Sequence, residues 1–233
     1  AFADFTIHPL FNLRAGQFLL PFGLEGPEPI FKNPAIERAF STRSMNPFRM
    51  FRDVGLMAYG KHGWMNYSLA LVNGRGANIL ETANPKDLIG RIDFSLTKTL
   101  MAGISSHIGT YETDSYEKLD RKRWGSHAEY KTNRIHLRGE IMLNGQEIAP
   151  DTKEQSFGGY FLGRFKIDEK WDVIGRWDYY EPDNRNSIYQ GLTLGPNYQL
   201  SGASNLSLNG MIYSEDNSNT LHYMLNIQLQ LVL

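Results

Sequence analysis

Three observations predict an all-β chain folded as an antiparallel transmembrane β-barrel. The last thirteen residues alternate without a break, Leu221, Tyr223, Leu225, Ile227, Leu229, Leu231 and Leu233 against His222, Met224, Asn226, Gln228, Gln230 and Val232. A period of two, with one face apolar and the other mostly polar, describes a strand lying between two solvents. In water that outward apolar row would invite aggregation, whereas with lipid outside and water inside it is stable. The same alternation recurs in about thirteen segments of roughly 8–14 residues, lengths suited to tilted membrane strands. Short and long connections also alternate strictly along the chain, as turns on one side of a membrane and loops on the other would. A soluble β-sandwich is the competing fold, and strict alternation of its connections is less expected.

Taken in order, Phe2–Ile7 reads as the first strand, and Arg14 falls on a strand before the long Gly23–Arg52 segment. In Leu88–Leu96 the positions Leu88, Ile92, Phe94 and Leu96 oppose Arg91, Asp93 and Ser95. In Arg134–Asn144, Ile135, Leu137, Ile141 and Leu143 oppose Arg134, His136, Arg138, Glu140 and Asn144. Phe157–Ile167 sets Phe157, Phe161, Phe165 and Ile167 against Tyr160, Arg164 and Lys166, and Trp171, Val173, Trp177 and Tyr179 then oppose Asp172, Arg176 and Asp178. Leu206, Leu208 and Ile212 complete the set before the terminal strand. The short connections are Thr97-Lys98-Thr99, Thr132-Asn133, Asp168-Glu169-Lys170 and Ser201–Asn205. The long ones are Gly74–Lys86, Glu112–Asp120, Gly145–Glu154, Glu181–Ser187 and Ser214–Asn219. Residues 1–233 are thus one barrel domain. If Leu233 ends in the periplasm, Phe2–Ile7 descends, and an antiparallel bacterial barrel then requires at least one strand before Ala1. The expectation is about 13 strands here, within a full barrel of about 14–18.

Composition agrees. Cys is absent, which excludes a disulfide framework, a thiolate metal site and attached c-type haem. A net charge of −1 argues against nucleic acid as a partner. The mean hydropathy of −0.40 excludes a helical membrane protein but not a barrel, where only alternate residues face lipid. Trp124, Trp171, Trp177, Tyr130 and Tyr179 share the apolar phase and suit interfacial girdles.

By phase, Arg14, Arg91, Arg134, Arg138, Arg164, Lys166 and Arg176 face the lumen, with Asp93, Glu129, Glu140, Asp172 and Asp178. A two-residue turn at Thr132-Asn133 would set Glu129 opposite His136 and His127 opposite Arg138. A three-residue turn at Asp168–Lys170 would set Lys166 opposite Asp172. Such cross-strand pairs contribute about 0.2–1 kcal/mol each. The long segment holds Pro27, Pro29, Pro34 and Pro47, and sets Lys32, Arg38, Arg43, Arg49 and Arg52 against Glu25, Glu28 and Glu37. Folded inward, this basic excess would narrow the lumen and favour anions; left outside, its charges would simply stay solvated. The residues alone leave both open. His107, His127 and His136 face inward without a spacing that guarantees a metal site, and no cofactor is expected. Ser105 and His107 also face inward, whereas a barrel lipase would need them on the lipid side, so no enzyme is expected.

The first ninety residues carry an ordered series: Arg14-Ala15-Gly16-Gln17-Phe18, Pro21-Phe22-Gly23-Leu24-Glu25, Glu37-Arg38, Arg52-Asp53-Val54-Gly55, Tyr67–Gly74 and Gly90-Arg91. Over residues 14–91 this resembles the phosphate-selective porin O and P family of Gram-negative outer membranes; beyond them the match is one of strand pattern. The resemblance implies a trimeric outer-membrane porin of sixteen strands with the long segment folded into its pore. It departs from the usual barrel ending, since Leu233 stands where Phe is commoner. What it implies here is passive diffusion of small hydrophilic solutes with a mild preference for phosphate-like anions. The residues expected to line the constriction are Lys32, Arg38, Arg43, Arg49 and Arg52 in the segment and Arg14, Arg91, Arg138 and Arg164 on the wall. The expected partners are outer-membrane lipid, small anions and further copies of the chain. The rival from another class is a structural sheath around a multihaem cytochrome or a lipoprotein, a reading that composition alone does not separate from a pore.

Overall fold

The computed structural model describes residues 1–46, 48–79, 86–112, 118–149, 152–182, 188–202, 204–215 and 220–231. Thirteen strands form one sheet in sequence order, each antiparallel to the next. They are β1 (Phe2–His8), β2 (Phe11–Leu19), β3 (Arg52–His62), β4 (Met65–Val72), β5 (Asp87–Ser95), β6 (Leu100–Glu112), β7 (Lys118–Lys131), β8 (Ile135–Ala149), β9 (Thr152–Lys166), β10 (Trp171–Glu181), β11 (Tyr189–Ser201), β12 (Ser204–Ser214) and β13 (Leu221–Gln230). Among the described residues β1 pairs only with β2 and β13 only with β12, leaving two sheet edges. Between β2 and β3 run two short 3-10 turns (Ile30–Lys32 and Arg49–Phe51) and a five-residue helix, α1 (Phe40–Ser44).

Burial is inverted relative to a water-soluble domain. Ile104, Trp124, Ile141 and Leu225 are 57%, 55%, 54% and 67% exposed, whereas Arg138, Arg176 and His107 are 2%, 1% and 0% exposed. An apolar outside around a polar inside requires hydrocarbon around the wall, because exposing such apolar rows to water costs roughly 25 cal/mol per Å². The phase assignments made from alternation hold along β5, β7–β10, β12 and β13, and Trp124, Tyr130, Trp171 and Trp177 are exposed on the outer face. Leu225→Arg is therefore expected to destabilise the folded protein by about 2–4 kcal/mol, as for a cation placed near the bilayer midplane. Gln228→Arg, on the opposite face of the same strand, should cost far less; unfolding in lipid vesicles distinguishes the two.

One register and one loop depart from expectation, and one expected register holds with a different ion pair. The β7–β8 turn is two residues longer than a Thr132-Asn133 turn allows, so Lys131 stands opposite His136, Glu129 opposite Arg138 and His127 opposite Glu140. The Thr132 backbone N–H donates to the Ile135 carbonyl and its hydroxyl accepts from the Ile135 N–H, which moves the reversal outward and leaves Arg134 exposed on the turn rather than on the wall. Gly145–Glu154 is not a free loop. Gly145 to Ala149 pair with Gln155 to Thr152, extending the β8–β9 hairpin. Lys166 does lie opposite Asp172, but Arg164 makes the ion pair with that carboxylate. At the β9–β10 turn, Asp168 accepts from the backbone N–H groups of Lys170 (2.7 Å) and Trp171 (2.8 Å), which hold its carboxyl below the usual range. The other long links fall partly outside the described residues, at 80–85, 113–117, 183–187 and 216–219, as do residues 232–233.

Candidate functional site

The segment between β2 and β3 crosses the inner face. Its anchors begin at Gly23, whose N–H donates to Ser105 Oγ (3.0 Å) and whose carbonyl accepts from Arg91. Gly23 has φ +67°, and a Cβ there would overlap the carboxylate of Glu140, itself 2% exposed. Further along, Arg138 donates to Glu28 Oε2 (2.8 Å), and Asn197 to the Pro34 carbonyl (3.3 Å). The Ile36 N–H donates to Asn209 Oδ1 (2.8 Å), and Arg176 to the Glu37 carbonyl (2.5 Å). The Phe40 N–H donates to Asp178 Oδ1 (2.9 Å), and Arg123 to the Met45 carbonyl (2.9 Å). These partners stand on β5 to β8 and β10 to β12, so one stretch of chain is tied to most of the wall. Five of these eight bonds involve a charged group, four of them to a backbone amide or carbonyl, the stronger kind of protein hydrogen bond.

Apolar packing supports the same path. Leu20, Phe22, Met45 and Phe48 pack with wall residues Phe18, Met57, Ala70, Val72, Ile89 and Met142. Ala35 and Ala39 pack with Tyr160, Leu162 and Ile174. Within the segment, the buried Glu25 carboxylate accepts from Asn33 Nδ2 (3.1 Å) and from the Ala39 N–H (2.8 Å). Arg38 donates to the Glu25 carbonyl (3.1 Å) and to that of Glu28, and its guanidinium lies 4.2 Å from the Phe51 ring centre. Burial pulls the Arg38 pKa below its usual value, against the opposing charges of Glu25 and Glu28.

A second cluster holds the start of the β4–β5 connection. Asp53 Oδ2 accepts from the Gly74 N–H (2.6 Å), and Arg121 donates to the Gly74 carbonyl (2.6 Å). Arg121 also bridges to Asp87, which contacts His107 Nε2 at 2.6 Å. Arg123 Nε lies 2.9 Å from His107 Nδ1. Arginine can only donate, so Nδ1 accepts and Nε2 carries the proton given to Asp87.

The expected constriction residues thus separate. Arg91 and Arg138 clamp the segment, their side chains alone 11% and 1% exposed. Arg38 is buried inside it. Arg43 pairs with Glu37 at 2.9 Å and stays 41% exposed. Arg164 is 40% exposed beside Asp172. Arg14 forms a two-point pair with Asp4 (2.7 and 2.9 Å) at the β1–β2 edge, away from the segment. Lys32 is exposed at the end of the first 3-10 turn, and Arg52 starts β3 half-buried opposite Leu19. The Arg49 side chain lies outside the described residues. The three histidines expected to face inward each have their own carboxylate: His107 with Asp87, His127 with Asp93 (2.7 Å) and His136 with Glu129 (2.5 Å). Among the described residues, no group of three acidic, His or Cys side chains converges as a metal site would require. Ser105 and His107 are each committed to other partners.

Sequence reasoning missed Arg121, Arg123 and Arg176 as clamps, and missed the apolar packing entirely. A signal for it was present. Ala70, Val72, Ile89, Leu162 and Ile174 are apolar at inward phase, which on a water-facing wall makes sense only where something apolar covers them.

No protein-family model matches the sequence, so the likeness to phosphate-selective porins rests on its motif residues. An uncharacterized protein of Aquifex aeolicus (strain VF5) is 28% identical over 139 residues, 51% of this chain and 31% of that protein, so the chain spans less than a third of its relative's length. Among solved structures, the anion-selective porin from Comamonas acidovorans superposes with a TM-score of 0.69 at 14% identity, over 90% of this chain and 65% of that one. A loop L8 deletion mutant of OmpT, an outer membrane protein of Vibrio cholerae, gives 0.72 at 7% identity over 93% and 74%. Outer-membrane expressed OmpT of Vibrio cholerae gives 0.71 at 7% identity over 92% and 69%. At these identities the likeness is one of fold, and the fold of this chain is that of a bacterial outer-membrane β-barrel.

Proposed function

We propose that the chain is part of an outer-membrane porin that passes small hydrophilic solutes down their gradient, with a mild preference for anions such as phosphate. What supports this reading is the segment at residues 20–51, tied by hydrogen bonds across the inner face, where it would narrow a passage without the wall having to move. Diffusion supplies the transport; wall charges and the fixed segment set aperture and potential. The reading requires further strands to close the gap between the β1 and β13 edges, since open edges are not tolerated in hydrocarbon. Outer-membrane lipid covers the apolar face, and assembly as a trimer of copies belongs to the same proposal. The sheath reading is less favoured, because the chain's own segment occupies the inner face where a cytochrome or lipoprotein would have to lie.

The preference for anions is mild because most inward cations are already neutralised. Arg91, Arg138 and Arg176 face carboxylates or carbonyls at hydrogen-bond distance, leaving Arg43, Arg164, Lys166 and Lys32 as the more exposed cations. Replacing Arg38, Arg43 and Arg49 together with Ala should lower the anion-over-cation permeability ratio by about twofold to fivefold, the scale of a partly solvated charge. Arg43→Ala alone should account for much of the change. Reversal potentials of the full-length protein in planar bilayers under a KCl gradient measure it, and an unaltered ratio rejects the constriction role.

A further inference from the structure

The two rims of the wall carry charge differently. The short-turn rim holds six exposed cations: Lys61 at the β3–β4 turn, Lys98 at β5–β6, Lys131 and Arg134 at β7–β8, and Lys166 and Lys170 at β9–β10. Among the described residues none of the six makes an ion pair. The carboxylates on these turns are Asp168 and Glu169, and Asp168 is turned toward the backbone N–H groups of its own turn. Further inside, Glu129 is held by His136 and Asp172 by Arg164. At the opposite rim the outward lysines have carboxylate partners, Lys122 with Asp120 and Lys153 with Glu147, each at 3.7 Å. Four consecutive short turns therefore present an excess of positive charge that the other rim lacks.

Depth places this charge among lipid headgroups. The apolar side chains beside the cations are exposed on the outer face: Trp64 in the turn with Lys61, Leu96 near Lys98, Tyr130 beside Lys131, Ile135 beside Arg134, Ile167 beside Lys166 and Trp171 beside Lys170. Such side chains mark the edge of the hydrocarbon, with the rings at the interface. A strand climbs about 3.3 Å per residue, and the headgroup layer is about 5–8 Å deep on each side. One or two residues beyond the edge thus lie within that layer. Lys98, Arg134 and Lys170 occupy the turns themselves. Lys61, Lys131 and Lys166 follow the inward phase at the same level and add to the same positive potential.

We propose that the short-turn rim docks anionic phospholipid headgroups in the leaflet it faces, in preference to zwitterionic ones. A zwitterionic headgroup brings its own ammonium beside the phosphate. A phosphatidylglycerol-type headgroup leaves one net negative charge for a surface cation, and the attraction accumulates over a basic cluster. A single small anion would need cations converging on one point, whereas neighbouring hairpin tips are two strand spacings apart, about 10 Å. Headgroups meet that spacing as separate charges. They fill this layer in any bilayer, and an acidic polypeptide would first have to displace them.

The test is fluorescence quenching in vesicles by brominated lipids. The full-length protein, with every tryptophan except Trp64 and Trp171 replaced by Phe, reports on lipid at the short-turn rim. In a phosphatidylcholine host, brominated phosphatidylglycerol should bind about fivefold more tightly than brominated phosphatidylcholine, the effect of one surface cation on one headgroup charge. The ratio should fall to near one in Lys98→Gln/Arg134→Gln/Lys170→Gln, three exposed turn positions outside the packed wall. It should also fall in 1 M KCl, where charges are screened beyond about 3 Å. A companion protein that keeps only Trp124, which shares its strand with the paired Lys122, should show no preference. Equal quenching by both lipids at Trp64 and Trp171, an unchanged ratio in the triple variant, a ratio that survives 1 M KCl, or the same ratio at Trp124 overturns the proposal. So does a rim without lipid preference that binds soluble polyglutamate and loses it in the triple variant, since that outcome assigns the surface to an acidic protein.

Discussion

Arg176→Met is expected to detach residues 36–40 from the wall and to raise single-channel conductance of the full-length protein. Arg176 and Asp178 are each 1% exposed and 2.7 Å apart, and both hold the segment: the guanidinium through the Glu37 carbonyl, the carboxylate through the Phe40 N–H. Removing the cation strands a buried carboxylate, a change that costs about 3–5 kcal/mol, whereas removing both charges together costs much less. Arg176→Met with Asp178→Leu should therefore recover much of the lost stability while leaving the segment untethered at this point. The pair of variants separates two effects, stability following the stranded charge and conductance following the tether. Denaturant unfolding in vesicles and bilayer recordings read them independently. Wild-type conductance in both variants would show that the segment does not depend on this clamp.

The second large effect is expected from Gly23→Val. The φ of +67° disfavours any β-branched residue, and the left-handed region already costs an ordinary L-residue about 1–2 kcal/mol. The added Cβ would also overlap the Glu140 carboxylate, which is packed beneath this turn. The backbone must then move away, taking with it the Ser105 and Arg91 anchors. The expected readout is protease cleavage within residues 20–51 in the folded, membrane-embedded protein, with a larger and noisier conductance. Gly23→Ala combined with Glu140→Ser should restore part of the protection by removing the overlap while keeping the backbone strain. If Gly23→Val stays as protected as wild type, the turn does not position the segment.

Much of the wall was legible without coordinates because alternation is a local property. A pleated strand between hydrocarbon and water must place apolar and polar side chains in turn, so Leu88–Leu96, Trp171–Tyr180 and Leu221–Leu231 declare both structure and facing. Register was less secure, since it depends on which residue closes each turn; two extra residues at Thr132–Arg134 moved Glu129 from His136 to Arg138. Even so, Glu129 and His136 remain bonded along the diagonal, a pairing that phase alone makes possible.

The amino-acid sequence by itself determined the strands, their two faces and the identity of the inward charges, because each follows from the chemistry of near neighbours and of the solvent they meet. Only the tertiary structure decided what those charges do. Ile36 reaches Asn209 and Arg176 reaches Glu37 across more than a hundred residues of chain, and no local pattern encodes such a meeting. It is the docking of one segment, through apolar contacts and charge-assisted bonds formed together, that turns arginines from a ladder facing water into fasteners of the passage they surround.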